Sequence, residues 1–157
     1  MHLVLLSALL ALPAQAGAAE PLAAADVGWV EAARSGARRR LQTPECRKVL
    51  TDFRGLDGRP LTDRLAAFDL PPDEYLGRVA FLDGRARKLC RAGRFELLST
   101  PGSARVLVCP AFLRTVWRDR TLAEVYVIHE MLHTLGLGED PPTSYQITEQ
   151  VERRCAP

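Results

Sequence analysis

His129 and His133 stand four residues apart, with Glu130, Met131 and Leu132 between them. On a helix, residues at i and i+4 lie one above the other on the same face. Two imidazoles placed in this way can share one metal ion, and paired histidines suit zinc. Glu130 lies beside the pair, where its carboxylate can act as general base on a water at the ion instead of binding the ion itself. This is the HExxH spacing, whose chemistry is metal-assisted hydrolysis. The chain holds three histidines, and two of them are in this segment.

That chemistry needs a helix, and the flanking residues predict one. Thr121-x-x-Glu124 reads as a capping box that starts it. Leu122, Val125, Ile128, Leu132 and Leu135 recur at helical spacing, and Gly136 and Gly138 end it.

With these residues in place, the region from about 105 to 155 resembles the zincin superfamily of zinc metallopeptidases. The resemblance implies a zinc ion, a peptide or protein substrate, and an HExxH helix packed beside a small sheet. In that family the sheet's edge strand binds the substrate backbone, and Arg105 to Cys109, the last strand before the helix, is the matching candidate. Many zincins add a tyrosine or histidine donor for the oxyanion. Tyr145 is the candidate for that role, while Tyr126, one turn before His129, reads as a packed core residue.

A catalytic zinc commonly has three protein ligands and a water. Metzincins extend the motif to HExxHxxGxxH. Here His129, Glu130, His133 and Gly136 match, and the eleventh position is Glu139 instead of histidine or aspartate. The metzincin Met-turn has no counterpart, because the two methionines are Met1 and Met131. Gluzincins take the third ligand from a second helix. Thr143 or Ser144 can cap such a helix through Ile147, Val151 and Cys155, bringing Glu149 or Glu152 near the histidines. Glu149 lies about 200° round from Ile147, away from the apolar face, and Glu152 lies at its flank. The expected ligand set is His129, His133 and Glu139, with Glu152, Glu149 and Asp140 as the alternatives.

The rest of the chain supports export and one domain. Leu3 to Leu12 is almost unbroken apolar sequence, followed by Pro13 and Ala14-Gln15-Ala16. This reads as a signal peptide over residues 1–16, though its start lacks Lys and Arg. Residues 17–157 are then a single zincin-like domain, secreted or periplasmic and without a membrane anchor. Cys46, Cys90, Cys109 and Cys155 read as two disulfides in an exported chain. Three connectivities are open, and the pairing expected is Cys90 with Cys109 and Cys46 with Cys155.

A net charge of +2 across 157 residues excludes a strongly basic nucleic-acid binder by default, and a monomer is expected. Arg38-Arg39-Arg40 reads as a solvated helix end. The elements run as N-terminal helices, a short mostly antiparallel sheet, the HExxH helix and a C-terminal helix, an α+β fold. Ala18 to Ala25 reads as a mobile Ala-rich lead-in. A helix with Asp26 as N-cap follows, carrying Val27, Val30 and Ala33 on one face. A second starts at Thr43-Pro44-Glu45, and Gly55 to Pro60 is a turn. Thr62 to Phe68 is a short helix, and Pro71-Pro72 breaks the chain. Strands follow at Arg78 to Asp83, Phe95 to Ser99 and Arg105 to Cys109, the last two joined by a turn at Thr100 to Ser103. The competing reading is a secreted, disulfide-stapled binding protein whose HExxH holds a structural or vestigial zinc site.

Overall fold

The computed structural model describes residues 19–156, so the signal-peptide reading of residues 1–16 lies outside the described residues. The fold is α+β. In chain order it runs β1 (Glu20–Pro21), α1 (Ala24–Leu41), α2 (Pro44–Arg47), α3 (Val49–Asp52), α4 (Leu61–Ala66), α5 (Pro72–Arg78), β2 (Ala80–Asp83), α6 (Lys88–Arg91), β3 (Leu97–Ser99), β4 (Arg105–Val108), α7 (Pro110–Arg118), α8 (Arg120–Thr134) and α9 (Ser144–Cys155). No helix among the described residues is long and apolar enough to cross a membrane.

Helix α8 is the centre of the molecule. Eleven of its fifteen residues are buried, including His129, Glu130 and His133. A helix covered on nearly every side must meet several partners, and α8 packs against α1, α7, α9 and β3. Its start differs from the sequence expectation. The helix begins at Arg120, and the Asp119 side chain accepts from the Leu122 amide at 2.9 Å. Glu124 takes no part in a capping box, because it is buried against α1, where Arg40 Nε donates to its Oε2 at 2.6 Å.

Arg40 also donates to the Cys155 carbonyl at 2.6 Å, joining α1, α8 and α9. The basic run is therefore not a solvated helix end, since Arg38 too donates, to the Asp73 carbonyl. Gly36 lets α1 approach α8 here, for a Cβ at this position would meet Glu124 Oε1 at 1.9 Å. Arg40→Ala is expected to cost about 3–5 kcal/mol of stability, because it strands the Glu124 carboxylate in the core. Equilibrium urea unfolding measures this, and a change below about 1 kcal/mol would mean that water solvates Glu124.

The sheet order is β1-β2-β4-β3. Strand β2 pairs antiparallel with β1 and parallel with β4, and β3 pairs antiparallel with β4. The sheet is mostly antiparallel, as expected, but its central pairing is parallel. The long path from β2 through α6 and β3 makes that pairing available. It also corrects the edge-strand expectation: Arg105 to Cys109 is flanked on both sides, and the outer strand on the side of the histidines is Leu97–Ser99, with β1 at the opposite edge.

Three helices are absent from the sequence reading, α5, α6 and α7, and α5 and α7 each begin with proline in the first turn, at Pro72 and Pro110. A proline there has no amide hydrogen bond to lose and already holds a helical φ. The Ala-rich lead-in is partly ordered: β1 pairs with β2, and α1 begins at Ala24 with Ala23 as N-cap. Asp26 instead pairs with Arg85, and Val27 is exposed. The reading at Thr43 holds, since its hydroxyl accepts from the Cys46 amide.

Both expected disulfides form. Cys46–Cys155 closes a separation of 109 residues and ties α2 to the end of α9, and Cys90–Cys109 joins α6 to the end of β4. Among the described residues one apolar cluster runs from Val30 to Cys155, so α1 shares the core around α8 and is not a separate layer.

Candidate metal centre

The end of α8 and the loop after it bring three side chains together. His129 Nε2 and His133 Nε2 are 3.0 Å apart. Glu139 Oε1 lies 3.2 Å from His133 Nε2 and 3.6 Å from His129 Nε2. One ligand-type atom from each of the three falls within 4.8 Å of the other two. The loop geometry explains why Glu139 arrives. Gly136 has φ +102°, a left-handed turn that glycine adopts without strain, and its amide donates to the His133 carbonyl at 2.8 Å. The Leu137 amide then donates to the Leu132 carbonyl, and the chain curls back toward the histidines.

Two outside contacts secure this turn. Leu56, in the Gly55–Pro60 turn, donates its amide to the Gly136 carbonyl at 2.9 Å. It also packs so closely on Gly138 that a Cβ there would meet its Cδ2 at 2.3 Å. From the other side, Gly102 in the β3–β4 turn donates to the His133 carbonyl at 2.9 Å.

Each imidazole is oriented through its second nitrogen. His133 Nδ1 is 2.8 Å from the Leu137 carbonyl, which can only accept, so Nδ1 donates that bond and Nε2 is the nitrogen turned toward His129 and Glu139. His129 Nδ1 is 2.9 Å from Thr148 Oγ1 on α9. A hydroxyl can accept or donate, so His129 can present Nε2 as a lone pair with its proton on Nδ1. Burial, and after it the neighbouring His133, pulls His129 down to about 3, which keeps the ring neutral at ordinary pH. A neutral imidazole is the form that binds a metal.

Glu130 has a separate partner. Ser99, the last residue of β3, donates its hydroxyl to Glu130 Oε2 at 2.6 Å. Burial raises the Glu130 carboxyl above the usual carboxylate range, while the Ser99 hydrogen bond and His133 oppose that rise. Two cavities meet at this residue. One, of about 420 Å³, is lined by His129, Glu130, Tyr126 and the α9 side chains Tyr145, Thr148 and Glu149. The other, of about 330 Å³, is lined by Ser99, Pro101, Glu130, His133 and Glu139. The outer strand β3 contributes Leu97 to both.

The sequence-predicted residues thus divide. His129, His133 and Glu139 converge, and Glu130 opens beside them. Glu149 and Glu152 are exposed on α9 at the wall of the first cavity, and Asp140 is exposed in the loop; none of the three joins the cluster. Thr143 caps α9 with a complete capping box, so the second helix forms as expected without supplying the acid. Tyr145 is 76% exposed at the cavity rim, and Tyr126 is half-buried on the cavity wall. Tyr126 is also packed against the core, and burial followed by the charges of Glu96, Glu152 and Asp119 raises its hydroxyl pKa.

Sequence reasoning missed Ser99 and Thr148. Strand alternation could have found Ser99, because it shares a face with buried Leu97. Thr148 follows Ile147 on α9, and no local spacing ties it to His129. Comparison of the chain with protein-family models, with curated proteins and with solved structures finds no match in any of the three.

Proposed function

We propose that this chain is an exported zinc metallopeptidase, with His129, His133 and Glu139 as metal ligands and Glu130 as general base. The observation that carries the reading is the convergence of the two Nε2 atoms and Glu139 Oε1. A tetrahedral zinc about 2.1 Å from each ligand would separate neighbouring ligand atoms by about 3.4 Å. The separations of 3.0, 3.2 and 3.6 Å bracket that figure. The donor set is two imidazoles and one carboxylate, which also suits the ion. Among the described residues the cluster has three members, which favours a catalytic site with an open position over a closed structural one. The two disulfides fit an oxidising compartment.

Bound there, zinc would supply Lewis acidity toward a carbonyl and toward water. The chain's own residues supply the rest. Thr148 and the Leu137 carbonyl hold the imidazoles in register, so only small shifts are needed on binding. Ser99 holds one Glu130 oxygen, and the carboxylate borders both cavities. From that position Glu130 can take the proton of an attacking water and return it to the leaving amine. The outer edge of β3 lies along both cavities, where an extended peptide backbone could add as a strand. Tyr145 is the proposed oxyanion donor, and its exposure requires that it close over bound substrate.

The test is metal analysis paired with hydrolysis of a peptide library by the oxidised, exported protein. About one zinc per chain is expected, and chelation should abolish hydrolysis, with zinc restoring it. Full hydrolysis by protein stripped of metal would overturn the proposal.

A further inference from the structure

We propose that a groove on the outer face of the sheet, across β3 from the candidate metal centre, docks substrate polypeptide that carries both leucine-like and acidic side chains. The inference rests on the metallopeptidase reading and adds a substrate class to it. Leu82, Leu107 and Leu98 are direct cross-strand neighbours on β2, β4 and β3. Their strand neighbours Phe81, Val106, Val108 and Leu97 point into the core, so the three leucines form one row on the opposite face. They floor a groove of about 690 Å³, and Leu89, 52% exposed, adds to its wall. That wall is fixed, since the Cys90–Cys109 disulfide fastens the short helix α6 to the end of β4.

The charge around this floor has one sign. Arg87, Lys88 and Arg105 line the groove and no acidic side chain does. Among the described residues these three cations take part in no ion pair, whereas nearby Arg85 is matched by Asp26 and Asp83. An apolar floor under unpaired cations is complementary to an apolar and anionic partner.

Position selects substrate polypeptide as that partner. Leu98 and Ser99 line both this groove and the cavity that contains Glu130, His133 and Glu139. A chain crossing β3 therefore reaches the groove with one segment and the candidate metal centre with another. Two-site contact raises effective concentration at the centre without altering the chemistry there.

The test is binding, read separately from hydrolysis. A fluorescent peptide composed of leucine and aspartate is titrated into the oxidised chain, wild type and Glu130→Gln, and followed by anisotropy. The same peptide with lysine for aspartate, and vesicles of phosphatidylglycerol, serve as comparisons. The acidic peptide should bind at least about tenfold more tightly than the lysine peptide, and the double variant Lys88→Glu/Arg105→Glu should remove that preference. Both positions are exposed, so the variant is expected to fold. Equal binding of the two peptides, no effect of the double variant, or vesicle binding that the acidic peptide does not displace would overturn the proposal. Docking without any zinc-dependent hydrolysis would instead remove the peptidase reading and leave the groove standing. Hydrolysis without charge-selective docking would do the reverse.

Discussion

Glu130→Gln is expected to retain zinc and to lose turnover by roughly a hundredfold to ten-thousandfold, the range for removal of a general base. The substitution preserves shape. An amide can still meet Ser99, because its carbonyl oxygen accepts the hydroxyl hydrogen that Glu130 Oε2 accepts at 2.6 Å. It cannot take a proton from water. The three atoms proposed to hold the ion belong to other residues, so metal content should stay near one per chain. A loss confined to kcat, with KM little changed, would place the defect in the chemical step. Turnover at the wild-type rate would exclude Glu130 as the base, and parallel loss of zinc and turnover would make it part of the metal site instead.

Much of that constellation was legible in the sequence because it is local. His129, Glu130 and His133 lie within little more than one helical turn, and Glu139 follows after a glycine that permits one bend. Helical geometry alone relates residues this close. The four cysteines were legible for a similar reason: few partners exist, and both expected bonds form. Helix ends marked by Thr43 and Thr143 were readable because the cap uses residues three apart.

What escaped depends on contacts between distant segments. Glu124 has the spacing of a capping box with Thr121, yet Arg40, 84 residues away, claims its carboxylate. The parallel pairing of β2 with β4 has no short-range signature, and it is what moves β3 to the edge. Ser99 and Thr148, which orient Glu130 and His129, come from 31 and 19 residues away. Pro72 and Pro110 illustrate a different ambiguity. The same residue ends one element and starts the next, and only the following apolar spacing separates the two roles.

The third ligand is where local and distant readings compete, and the outcome there is expected to be decisive. Glu139→Ala should lose most of its zinc on dialysis against a weak chelator, while Glu149→Ala and Glu152→Ala keep theirs. Removing one of the three proposed ligands leaves two imidazoles, and loss of even a residue that merely orients a ligand typically costs 10–100-fold in metal affinity, so direct loss should cost at least about a hundredfold. Glu139 is itself 47% exposed at its side chain, so its removal creates no cavity, and the fold should survive for a clean measurement. Glu149 and Glu152 share the α9 face with Thr148 but lie outside the histidine cluster. Their substitution should change the charge of the neighbouring cavity and leave the metal in place. Thr148→Val is the informative companion, since it removes the partner of His129 Nδ1 without touching a ligand. It should weaken zinc by less than Glu139→Ala does. Full retention in Glu139→Ala together with loss in Glu152→Ala would transfer the third ligand to α9 and replace the single-loop site with a two-helix one.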